Sequence, residues 1–147
     1  MNIGIVSDHG GYELKQKLTK YLLKNGYNIK DYGTHSLESV DYPDYAFLLG
    51  EKIINKECDY GIAICKSGIG MSIACNKVKG IMCAKIDSIK DARLSKEDNG
   101  ANVITLNSSK SFFIIKKMVL TYLKSESLIA QRHKDRINKI IKYENEH

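Results

Sequence analysis

The chain of 147 residues carries 23 Lys and Arg against 17 Asp and Glu, a formal net charge of +6. That length suits one domain, residues 1–147, able to bury about two thirds of the surface its unfolded form exposes without a disulfide or metal to hold it together. The lysines are spread along every predicted helix and form no single patch, which argues against nucleic-acid binding and leaves a small anionic ligand compatible.

The four cysteines, Cys58, Cys65, Cys75 and Cys83, contain no C-x-x-C pair, and the four histidines, His9, His35, His133 and His147, are scattered. Neither a metal site nor a redox dithiol is expected, and no cofactor. No segment approaches the ~18 apolar residues of a membrane span, and no apolar leader precedes the first strand. A soluble, cytoplasmic protein with reduced thiols is the expectation.

In chain order, Asn2 to Val6 reads as a strand ended by Ser7-Asp8-His9-Gly10-Gly11. Leu14, Leu18, Tyr21 and Leu22 then recur at helical spacing over Tyr12 to Lys24, and Asn25-Gly26 supplies a stop. Tyr27 to Tyr32 is a weaker strand, followed by a polar loop with His35. Pro43 suits the first turn of a helix that runs to about Asn55, because its missing N–H has no partner to lose there. Tyr60 to Ile64 is the third strand. A helix over Met71 to Lys77 and a strand over Gly80 to Lys85 follow.

Ser88 and Asp91 resemble a capping box opening a helix that ends near Glu97. Asp98-Asn99-Gly100 is a turn, and Ala101 to Leu106 is the fifth strand. Ser109 to Lys124 is amphipathic through Phe112, Ile115, Val119 and Tyr122, and Gln131 to Glu146 is a charged helix with Ile137, Ile140 and Ile141 as its stripe. Five strands alternating with helices predict an α/β fold, a Rossmann-like or flavodoxin-like parallel sheet with helices on both faces, plus a C-terminal helix. In the common strand order 2-1-3-4-5, the switch point lies between strands one and three, and ligands bind beyond their carboxyl ends.

Those ends carry Asp8-His9 and the stretch Ile62 to Ser72, which reads Ile-Ala-Ile-Cys-Lys-Ser-Gly-Ile-Gly-Met-Ser. A cysteine closing a buried strand is ordinarily a small hydrophobe. Here the glycine-interrupted loop after it offers a row of free N–H groups, which hold anions and steady oxyanions, so Cys65 is a candidate base. Asp8 alone reads as a helix cap; beside Cys65 it reads as part of a site. Arg132 and Arg136, one helical turn apart and flanking His133, suit an anionic substrate. Tyr42 fits either a substrate-lining or an anchoring role. Cys58, Cys75 and Cys83 read as packing residues, and His35 and His147 as surface residues.

The chain resembles the ribose-5-phosphate isomerase B family, which also includes galactose-6-phosphate and allose-6-phosphate isomerases. The resemblance runs from Met1 to about Tyr143. It is carried by Ser7 to Gly11, Asp41 to Ala46, Cys65 to Lys77, Ala92-Arg93-Leu94-Ser95, Asn99, Asn102-Val103-Ile104 and Arg132-His133-x-x-Arg136. It implies a metal-free aldose–ketose isomerisation through an enediol. Cys65 would be the base between carbons 2 and 1, with amides of Ser67, Gly68, Ile69, Gly70, Met71 and Ser72 steadying the enediolate. Ser67 would help with hydroxyl protons, and Asp8 would lie at the ring-handling end. His9, Arg132 and Arg136, with His133 nearby, would hold the phosphate.

It also implies a homodimer or dimer of dimers whose sites are completed across an interface, with Asn99 coming from the neighbour. Three positions depart from the family. Asp98 stands for a ring-opening histidine, and an ionised carboxylate can take the anomeric hydroxyl proton but cannot donate one to the ring oxygen. Ser109 stands for a phosphate-binding arginine. Lys66 replaces a glycine and is a candidate to restore positive charge near the substrate. Interconversion of ribose 5-phosphate and ribulose 5-phosphate is the implied reaction; a six-carbon phosphosugar substrate and a weakly active or non-catalytic phosphosugar-binding homologue are the alternatives.

Overall fold

Five short strands frame the computed structural model, which describes residues 1–147. They are β1 (Asn2–Ser7), β2 (Asn28–Asp31), β3 (Tyr60–Cys65), β4 (Cys83–Lys85) and β5 (Val103–Asn107), all paired in parallel. Parallel neighbours need crossovers, and α1 (Tyr12–Lys24), α2 (Tyr42–Ile54), α3 (Ile69–Cys75) and α4 (Ile89–Glu97) supply them. A 3-10 turn (His9–Gly11) leads into α1, while α5 (Phe112–Lys124) and α6 (Gln131–Glu146) end the chain.

Alternation along the strands makes two apolar layers. Ile3, Ile5, Ile62, Ile64, Ile104 and Leu106 meet Leu14, Leu18 and Leu22 of α1 and Ile115, Met118, Val119 and Tyr122 of α5. On the opposite face Val6, Ala63, Cys65 and Val103 meet Ala46, Leu49 and Ile53 of α2 and Met71, Ala74 and Cys75 of α3. A sheet covered on both faces requires such runs. Leu18 and Leu22 are wholly buried, and each such side chain contributes about 1.5 to 3 kcal/mol.

The strand order is β2-β1-β3-β5-β4, not 2-1-3-4-5. β5 inserts beside β3 because its residues 103–106 are fully buried, whereas the three-residue β4 is half-buried throughout and suits an edge. The switch between β1 and β3 stands. β4 is also shorter than its apolar run suggests. Gly80 turns at φ +89°, and the Asn76 side chain, not a strand neighbour, accepts from the Cys83 N–H and donates to the Cys83 carbonyl.

Other boundaries shift for local reasons. α3 starts at Ile69, two residues early, because Gly68 at φ +80° reverses the chain ahead of it. α5 starts at Phe112, where the Ser111 hydroxyl accepts from the Ile114 N–H at 3.4 Å. At α4 the Ser88 hydroxyl accepts from the Asp91 N–H at 3.0 Å, while the Asp91 carboxylate reaches the N–H of Asp87 in place of Ser88. No helix is long and apolar enough to cross a membrane.

Candidate active site

The carboxyl ends of β1 and β3 meet as adjacent parallel strands, with Ser7 opposite Ile64. The Asp8 N–H donates to the Ile64 carbonyl at 3.2 Å, so the two loops are tied at their roots. Asp8 is nearly buried, and one of its oxygens accepts from the Gly11 N–H at 3.1 Å. It therefore caps the turn and still has a second oxygen. His9, exposed, accepts through Nδ1 from the Val40 N–H at 3.2 Å, which leaves Nε2 as its free nitrogen.

Cys65 ends β3 only 5% exposed, packed among the α2 and α3 residues. Its Sγ accepts from the Gly68 N–H at 3.1 Å. The Ile69 N–H is used by the Ser67 hydroxyl at 3.1 Å, and the Ser72 N–H goes to the Gly68 carbonyl as the first helical bond of α3. The N–H groups of Ser67, Gly70 and Met71 have no acceptor within the chain. The amide row thus narrows. Ser72 and Ile69 leave it, and the Met71 side chain belongs to the core, fully buried.

Gly68 is held from beneath: the Thr105 hydroxyl donates to its carbonyl at 2.9 Å, and a Cβ there would lie 3.2 Å from the Leu106 carbonyl oxygen. Tyr42, at the start of α2, lies over Gly70 so closely that a Cβ on the glycine would stand 2.6 Å from the ring. This favours the anchoring role while leaving the ring partly exposed at the mouth. Lys66 is exposed beside Gly10.

The strand order adds residues that sequence reasoning missed. Asn107 is in register with Cys65, and the Ser108 N–H donates to the Cys65 carbonyl at 3.1 Å. The Asn107 side chain in turn accepts from the Ser109 N–H and hydroxyl. The polar run Asn107-Ser108-Ser109 was the available signal, but it acquires meaning only once β5 is known to adjoin β3.

The other predicted site residues lie elsewhere. Asp98 and Asn99 precede β5, at the amino end of the strand whose carboxyl end holds Asn107. Four steps of strand, about 13 Å, separate those ends. The N–H groups of Leu128 and Ile129 donate to the carbonyls of Lys96 and Glu97, which delivers the start of α6 to the same place. His133 Nε2 comes within 3.3 Å of Asp98 Oδ1, and Arg132 and Arg136 are exposed beside it. The chain therefore carries two groups: Asp8, His9, Tyr42 and the Cys65 loop at one end of the sheet, and Asp98, Asn99, Arg132, His133 and Arg136 at the other.

A buried thiol facing amide donors, with an imidazole and carboxylate across the switch point, can move a proton on carbon and steady the resulting oxyanion. No group of three or more His, Cys, Asp or Glu side chains is arranged to hold a metal ion.

Comparison with known proteins gives the same direction. Residues 3–140 match the family model described as Ribose/Galactose Isomerase. A probable ribose-5-phosphate isomerase B of Mycoplasma genitalium is 40% identical over 99% of this chain and 97% of its own. The Clostridium thermocellum ribose-5-phosphate isomerase B structure superposes with a TM-score of 0.96 at 44% identity, covering 99% of both chains. The Mycoplasma genitalium enzyme with bound ribulose-5-phosphate superposes with a TM-score of 0.93 at 38% identity, over 99% of this chain and 97% of that one.

Proposed function

The chain belongs to the ribose/galactose isomerase family, and from that premise we propose that it interconverts ribose 5-phosphate and ribulose 5-phosphate through an enediol, with Cys65 as the base. The observation that carries this reading is the Cys65 thiol at the switch point, 3.1 Å from the Gly68 N–H and followed by unpaired loop amides.

In the open-chain aldose, Cys65 removes the proton from carbon 2 and returns it to carbon 1. Negative charge develops on the carbonyl oxygen, where the free N–H groups of Ser67, Gly70 and Met71 stabilise it more than they stabilise the neutral substrate. The Ser67 hydroxyl passes protons between the substrate oxygens. His9 meets the phosphate through Nε2, and Arg132 and Arg136 of a second copy complete the charge around it, since no arginine of the same chain serves the Cys65 end. The active unit is thus at least a homodimer with the site at the interface.

Turnover of ribose 5-phosphate, measured beside Cys65→Ala, tests the reading. Loss of one positioned general base costs about 10²- to 10⁴-fold, and a drop of that size with the fold intact by circular dichroism is expected. Faster turnover of a six-carbon phosphosugar would move the substrate assignment, and binding without turnover of either sugar would overturn the enzymatic one.

A further inference from the structure

β5 turns Val103 and Thr105 to the same side of the sheet as Ala63 and Cys65, the side covered by α2 and α3. Thr105 is in register with Ala63, two residues before the pair Cys65 and Asn107, and is wholly buried. In a strand that reads Val-Ile-Thr-Leu-Asn a threonine is an ordinary β-branched choice. A hydroxyl taken into an apolar layer is nevertheless costly unless it finds a partner. Its partner is the Gly68 carbonyl at 2.9 Å, and since a carbonyl only accepts, the hydroxyl donates.

We propose that Thr105 is a positioning residue of the site: its hydroxyl holds Gly68 from beneath, which keeps the Gly68 N–H on the Cys65 sulfur and the amides around it aimed at one point. That those amides serve an enediolate rests on the isomerase reading above. Gly68 needs such a hold. At φ +80° it is in the left-handed region, and without a side chain only hydrogen bonds and contact with the Leu106 backbone fix it. Its carbonyl accepts twice, from the Thr105 hydroxyl at 2.9 Å and from the Ser72 N–H at 3.1 Å, while its N–H donates to Cys65 Sγ at 3.1 Å. One residue thus joins β5, the first turn of α3 and the thiol.

The hold fixes a distance on which the chemistry depends. The Ser108 N–H ties the Cys65 carbonyl to the end of β5 at 3.1 Å, so the sulfur and Gly68 are both anchored to the same strand. Without the Thr105 hydroxyl the Gly68 carbonyl keeps only its bond to Ser72, and the loop that carries the free N–H groups of Ser67, Gly70 and Met71 is then fixed to α3 and no longer to β5. A displacement of about 1 Å at such a point costs as much as about 100-fold in rate. Thr105 acts through Gly68 and reaches no substrate, because it is enclosed beneath the loop.

Thr105→Val keeps the shape and removes the donor, and it orphans nothing because the Gly68 carbonyl retains the Ser72 N–H. Thr105→Ser keeps the donor. Hydrogen exchange of the Gly68 amide, followed by NMR without substrate, should quicken about tenfold in Thr105→Val and return toward the original rate in Thr105→Ser. With ribose 5-phosphate, kcat of Thr105→Val should fall at least about tenfold while KM stays within about twofold, since the groups that meet the phosphate are untouched. Thr105→Ser should recover most of that loss. Unchanged Gly68 exchange in Thr105→Val, a fall in kcat that Thr105→Ser shares in full, or an effect confined to the melting temperature would overturn the proposal. Failure of the isomerase reading shows separately, as no turnover by the original chain, and the exchange measurement then decides on Thr105 by itself.

Discussion

Cys65 and Lys66 are adjacent in the chain and opposite in environment, one in the core between α2 and α3, the other in water beside Gly10. The strand places them so, because successive side chains point to opposite faces and the sheet ends between them. Burial keeps the thiol from solvent and against the Gly68 amide. Exposure lets the Lys66 ammonium swing over the loop mouth, where His9 is the other group able to carry positive charge from this end of the site. Ser109 brings no charge where the family resemblance implies an arginine, and a lysine is a workable point charge for phosphate without arginine's fork. Lys66→Gly should therefore raise KM for the phosphosugar about tenfold, the equivalent of one modest ionic contact of roughly 1.4 kcal/mol. Steady-state kinetics would show it, and an unchanged or lower KM would place Lys66 in solvent with no role.

At the level of elements, the end of α4 is the joint on which the second group of site residues hangs. Lys96 is only 2% exposed, with no carboxylate near it; its Nζ donates to the Tyr122 and Leu123 carbonyls at 3.2 and 3.4 Å and lies 4.1 Å from the Tyr60 ring centre. It closes the C-terminus of α5 from within, where a positive charge is favoured by the helix dipole. Burial nevertheless pulls its pKa below the usual lysine value. The folded state then binds fewer protons than the unfolded one between the lowered pKa and 10.5, so this residue's contribution to stability rises with pH across that window. Burial pushes the Tyr122 hydroxyl the other way, opposing this only above about pH 10. Urea unfolding as the pH is raised toward 10.5 should show the original chain gaining on Lys96→Met; a constant difference all the way would mean that Lys96 does not change its proton occupancy on unfolding. None of this was legible beforehand, because a lysine in an amphipathic helix reads as surface, and only the α5 terminus above it makes burial tolerable. The helices and strands themselves were legible from apolar periodicity, and the switch point from the loops that follow β1 and β3. The order of β4 and β5 was not, since their lengths and burial depend on long-range packing, and with it went the position of Asn107 beside Cys65.

For the molecule as a whole, the decisive feature is that its candidate site residues divide between the two ends of one sheet. A thiol with no guanidinium near it and a pair of arginines with no thiol near them are each chemically incomplete, while a two-fold arrangement that brings one end to the other completes both sites at once. The surface agrees with such an association. Ile69 and Ile73 on α3 are 54% and 58% exposed next to the Cys65 loop, Phe47 and Ile54 project from α2, and Ile140, Ile141 and Tyr143 stand out on α6 beside the arginine group. Apolar side chains gathered around two half-sites mark a surface to be covered. The proposal has a sharp consequence for mixtures. Cys65→Ala spoils one half-site and Arg136→Ala the other, so each variant alone should be inactive or nearly so. Refolded together in equal amounts, they form half their dimers as mixed pairs, and each mixed pair holds one site with both Cys65 and Arg136 intact, so about a quarter of the original activity should return. A site built within one chain has no intact copy in such a mixture, and activity no greater than that of the separate variants would show that each chain works alone.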